Sequence, residues 1–268
     1  MSSAQILLLG AIAGVTIFLG LPMGRVQTAD LRLRAALSAM ATGILLFLLW
    51  DVLSHAVDPV EASLTAAVDG TGGWGRFVGL VSLLAGGVGL SLMALVYYDQ
   101  WLTRRRARVS ARSSRLSNGA QLAVLIATGI GLHNFAEGLA IGQSAASGET
   151  SLAIVLVIGF ALHNATEGFG IVAPMSGDSP PPSWLFLLGL GVIGGAPTFF
   201  GTLLGQAWTS DALSVAFLAL AGGSILYVLL ELLNVNRAFD MKPLVTWGLL
   251  GGLVLGFGTD FVLAAVGG

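Results

Sequence analysis

Gly131-Leu-His133-Asn134-Phe-Ala-Glu137-Gly138 is echoed thirty residues later by Ala161-Leu-His163-Asn164-Ala-Thr-Glu167-Gly168. Both copies read His-Asn-x-x-Glu-Gly, and both are set in strongly apolar sequence. In an α-helix, residues i and i+4 lie one above the other on a single face. Each copy therefore points an imidazole and a carboxylate the same way, with an amide one residue round. Two such faces brought together offer four or more N and O donors, the donor chemistry of a divalent cation.

The surrounding composition says where those faces lie. Of the 268 residues, 55% are hydrophobic and 10% charged, with a mean hydropathy of +0.88. Soluble domains carry about 25% charged residues, so the chain reads as an all-α integral membrane protein. Its 38 glycines suit helices that approach closely through small side chains. The absence of cysteine removes disulfides, thiolate metal sites and cysteine nucleophiles. A net charge of −2 gives nucleic-acid binding no support.

A spanning helix needs about 20 mostly apolar residues. That length is met eight times, at about 5–24, 35–56, 75–98, 119–145, 151–174, 183–207, 213–234 and 244–266. Breakers separate the spans, among them Pro59, Gly72-Gly73, Asn118-Gly119, Gly148 and Pro180-Pro181-Pro182. The first span lacks a basic leader and a cleavage site, and reads as a retained helix. Trp74, Trp101, Trp184, Trp208 and Trp247 fall at span ends, where an interfacial aromatic belt is expected. The chain reads as one domain, 1–268, with an arginine-rich loop at about 99–118.

Eleven of the 12 Lys and Arg residues fall in the first, third and seventh loops, and only Arg76 lies on the other side. The positive-inside rule makes the basic side cytoplasmic and both termini extracytoplasmic. A multi-pass protein of the cell's inner (plasma) membrane is expected. Spans four and five are joined by a few residues and so run antiparallel. The two motifs then cross the bilayer midplane in opposite senses, as in an inverted-repeat transporter.

Asp51, Glu137, Glu167, Glu231 and Asp260 lie within predicted spans, as do His133 and His163, with His55 at the end of its own. Apart from Arg76 at the start of the third span, no Lys or Arg shares that depth. Ionised groups at the bilayer centre cost roughly 3 kcal/mol or more and mark pathways. Unbalanced acids there require protons or metal cations. Asp51 and His55 form a further i, i+4 pair, read either as an entrance or as a third ligand face. Glu231 is read as guarding an exit or reaching the site. Asp260 stays unassigned, and His55 is equally a packing residue or a ligand.

At these motifs the sequence resembles the ZIP (Zrt- and Irt-like protein) family of divalent-metal transporters. The likeness covers eight spans, external termini, a charged loop between spans three and four, and the paired motifs. It implies that His133, Glu137 and Glu167 are primary metal ligands, with His163 near or in the same shell. Asn134 and Asn164 are candidate members of the metal site from the motifs themselves, or else buried amides that bond across helices. It also implies a further ligand at Asp51, a counterpart for Glu231 on span seven, and elevator-like alternating access toward the cytosol. The family pattern carries an acid after the span-five His and Glu before a Pro on span six. Here Asn164 and Ala196 stand there, so a single transport site is expected, not a two-metal centre. The motif prolines are replaced by Ala136 and Thr166, which implies less kinked helices.

The expected cargo is a divalent metal, Zn first, with Fe, Mn and Cd open, and no resident cofactor. Mixed N and O donors do not separate these ions well. His and carboxylates must lose their protons to bind, so transport is expected to weaken in acid. Two rivals stand: a passive divalent-cation channel, and an ion- or proton-coupled transporter of another substrate. An enzyme is not expected, because neither motif has the His-Glu-x-x-His order of metalloproteases. A homodimer is compatible with the sequence and not dictated by it.

Overall fold

A computed structural model describes residues 2–25, 30–108, 117–146, 150–175, 180–207 and 210–267. They form helices and, among the described residues, no strand. In chain order these are α1 (Ser3–Val15), α2 (Leu31–Val68), α3 (Trp74–Arg108), α4 (Asn118–Ala146), α5 (Thr150–Val172), α6 (Trp184–Ala207), α7 (Asp211–Ala238) and α8 (Lys242–Gly267). Short 3-10 turns extend α1 to Arg25 and α5 to Met175.

Among the described residues, seven segments are long and apolar enough to cross a membrane: Ser3–Arg25, Leu31–Val68, Trp74–Trp101, Gly119–Ala146, Trp184–Ala207, Asp211–Ala238 and Lys242–Phe261. The chain is a multi-pass membrane protein. The expected eighth span coincides with α5, a helix of 23 residues that is not one of these seven.

Two helices overrun their expected ends. The sequence puts the end of the second span at 56 with Pro59 as a breaker, yet α2 runs on to Val68. Proline removes one N–H from the ladder, but burial compensates. Val60, Ser63 and Ala67 continue a helical stripe and are buried, with Val60 packed on Leu80 of α3 and Val215 of α7. The helix α3 likewise carries Arg104, Arg105, Arg106 and Arg108 on its last turns, so half of the expected arginine-rich loop is helix. Residues 109–116 of that loop, Gly148 and Trp208 lie outside the described residues.

The bundle is built around α4, which packs against α5, α6 and α7. Ile126 and Ile130 of α4 are buried with Leu45 and Leu48 of α2, Leu190 of α6 and Ile225 and Val228 of α7. The α4–α6 and α2–α8 pairs pack backbone on backbone. A Cβ on Gly201 would run into the Phe135 carbonyl, and one on Gly252 into that of Met40. Outward, α3 and α8 expose Val78, Leu90, Met93, Val254 and Phe261, as a lipid-facing surface would. Trp74, Trp101, Trp184 and Trp247 are exposed as well, in keeping with an interfacial belt.

Candidate metal centre

His133 and Glu137 are one turn apart on α4, and helix geometry stacks them. The His133 Nε2 lies 3.1 Å from Glu137 Oε1 and 3.9 Å from Glu167 Oε1 of α5. All three side chains are buried. An imidazole thus bridges two carboxylates inside the bundle. No Lys or Arg occurs anywhere on α4, α5 or α6, so nothing basic on these helices offsets the acids.

The amides sit beside this centre with their own partners. Asn134 Nδ2 donates to the Gly194 carbonyl of α6 at 2.9 Å, and its side chain neighbours Glu167. Asn164 Nδ2 donates to the Ala13 carbonyl of α1 at 2.8 Å. The two Oδ1 atoms, and Glu137 Oε2, are buried and accept no hydrogen bond among the described residues. The His163 side chain lies outside the described residues, although the α5 backbone that carries it is within them.

A second group lies at the edge of the centre. On α2, Asp51 Oδ1 is 3.4 Å from His55 Nδ1, and that ring nitrogen also lies 2.9 Å from the Asp51 carbonyl. Asp51 interacts electrostatically with His133 and with Asp260 of α8, and Glu137 with both Asp51 and His55. The Asp51 side chain is 20% exposed and that of His55 65%. The pair therefore leads from an exposed imidazole to a carboxylate within the field of the buried centre. Sequence reasoning read His55 with Asp51 as an entrance or a third ligand face and left Asp260 without a role. The signal that finds them is ionisable character at membrane depth.

Glu231 has Asp99, near the end of the apolar part of α3, as an electrostatic neighbour, and both act on Tyr227 one turn earlier on α7. Among the described side chains, which omit His163, no group of three or more His, Asp and Glu is arranged to hold a metal ion. What the described residues show is His133 closed onto two carboxylates. On α6, which contains no acid and no histidine, the residue before Pro197 is Ala196.

Comparison with curated proteins gives no match. A family model described as ZIP Zinc transporter matches residues 100–264, more than half of the chain, and includes both motifs and Glu231. Members of that family are transporters, and membership implies a divalent metal as the substrate. The chain belongs to the ZIP zinc transporter family.

Proposed function

We propose that the chain carries a divalent metal, Zn first, across the plasma membrane toward the cytoplasm by alternating access through a single site. In this reading α5 is the eighth span, 1–268 forms one transporter domain, and both termini are extracytoplasmic. His133, Glu137 and Glu167 are the primary ligands, with His163 completing the set. One observation carries it. A buried imidazole lies within 3.9 Å of two buried carboxylates from two helices, with no Lys or Arg on the helices that form the centre. Such a cluster persists in a bilayer only if a cation or protons neutralise it.

Asp51, with His55 and Asp260, forms the entrance. It places negative charge between exposed imidazole and buried ligands, so an incoming cation meets carboxylate before it is fully dehydrated. The Asp99–Glu231 pair serves the cytoplasmic exit. Asn164 and Ala196, standing where binuclear relatives carry acids, support one metal per protomer. A homodimer through the exposed apolar faces is part of the same proposal.

The test is uptake into proteoliposomes, with Zn, Mn, Fe and Cd offered singly. Saturable uptake of one ion is expected, lost in His133→Ala and in Glu137→Ala, and falling as the pH drops through the imidazole range near about 6.5. Variants that match the unaltered protein, or uptake indifferent to acid, would overturn the ligand assignment.

A further inference from the structure

The His-Asn-x-x-Glu-Gly pattern contains two residues that metal ligation by His and Glu leaves unexplained, the Asn and the closing Gly. They are four apart, so they share a helix face of their own. On α4, Asn134 donates to the Gly194 carbonyl, and a Cβ on Gly138 would strike the Thr198 carbonyl. On α5, Asn164 donates to the Ala13 carbonyl, and a Cβ on Gly168 would strike the Ile17 carbonyl. Thr198 is four residues past Gly194, and Ile17 is four past Ala13. The same two-point contact is therefore made twice, once on α6 and once on α1.

The two supporting helices also meet each other beside the gripped carbonyls. A Cβ on Gly14 would run into the Gly195 carbonyl, and one on Gly195 into that of Gly14. The arrangement has the form of a twofold, with α4 and α6 on one side and α5 and α1 on the other. We infer that each motif is two interleaved devices: His and Glu face the cation, while Asn and Gly grip a supporting helix one turn at a time. This rests on the metal reading for its first half only.

The chemistry of the grip is ordinary. A backbone carbonyl has two lone pairs and a buried amide must find an acceptor; the Ala13 carbonyl also accepts from Thr16 Oγ1 at 2.6 Å. The glycine removes the side chain that would hold the backbones too far apart for the amide to reach. Each asparagine joins the two devices, because it directly follows the histidine of its own motif. Asn134 and Asn164 are accordingly positioning residues that fix where the ligands stand, as groups orienting metal ligands commonly do.

Asn→Asp substitutions separate this from direct ligation. Aspartate is the better metal ligand but has no N–H to donate, so it would set an oxygen against a carbonyl. The experiment compares purified full-length Asn134→Ala, Asn134→Asp, Asn164→Ala and Asn164→Asp by Zn titration and thermal unfolding. Zn affinity is expected to fall about tenfold in all four, with a lower Tm in each. His133→Ala should lose Zn binding. An Asp variant that binds Zn as tightly as the unaltered protein or tighter, or an effect at only one of the two asparagines, would overturn the grip. If the unaltered protein binds no Zn, the transport reading fails, and the Tm comparison still decides the grip.

Discussion

His133 stands between two carboxylates on helices α4 and α5, which carry no lysine or arginine. Buried charge of this kind is retained for function at the expense of stability. Replacing Glu167 by its neutral isostere should show both sides of that exchange. Glu167→Gln is expected to abolish metal uptake and to raise the Tm of the metal-free protein by a few degrees, about 1 kcal/mol or more. A scan without metal beside an uptake assay reads both; a variant that is inactive and less stable would mean that Glu167 serves packing. The ligand face was legible in the sequence, because i, i+4 spacing on a helix leaves no freedom in which side chains align. That Asn134 and Asn164 could bond across helices was legible too, but not to which atoms. Each pairs with a backbone carbonyl 60 or 151 residues away, and a carbonyl has no signature in the sequence. For Glu231, membrane depth can be read from hydropathy, but its electrostatic neighbour Asp99 lies on another helix and cannot be.

At the level of elements, hydropathy found the helices and misjudged where two of them stop. Pro59 reads as a breaker, yet the buried stripe of Val60, Ser63 and Ala67 holds α2 together past it. Local chemistry lost to tertiary packing, which a window on one segment does not see. Glycine spacing is likewise ambiguous in sequence, since a helix glycine is either a contact or an empty place. Gly201 of α6 and Gly79 of α3 illustrate the two cases. A methyl on Gly201 would be driven into the Phe135 carbonyl, whereas nothing lies within 4 Å of one on Gly79. Backbone cannot step aside as a side chain can, so Gly201→Ala is expected to cost about 1–3 kcal/mol or more. Gly79→Ala should leave the Tm at or slightly above that of the unaltered protein, since alanine is the better helix former. Thermal unfolding of the two in one detergent decides it. Equal Tm values would mean that α4 and α6 are not in backbone contact at this level.

For the molecule as a whole, the bundle has no up or down of its own, and orientation rests on charge. Eleven of 12 basic residues fall on one side of the predicted spans. Several of them continue α3 as Arg104–Arg108, so the basic end is rigidly joined to a spanning helix. The opposite end carries Asp58, Glu61 and Asp69 on and after the last turns of α2. An excess of Lys and Arg resists translocation, so the proposed orientation keeps the arginine-rich end in the cytoplasm and turns the acidic end of α2 outward. In that proposal the Asp51–His55 pair opens outward and Glu231 with Asp99 inward, the polarity of uptake. Because the chain has no cysteine of its own, single thiols report this without any background. Thr71→Cys, in the turn between α2 and α3, should react with a membrane-impermeant maleimide on intact cells. Ser113→Cys, in the arginine-rich loop, should react only once the membrane is opened. The reverse pattern would place both termini in the cytoplasm, and the same alternating site would then carry its metal out of the cell.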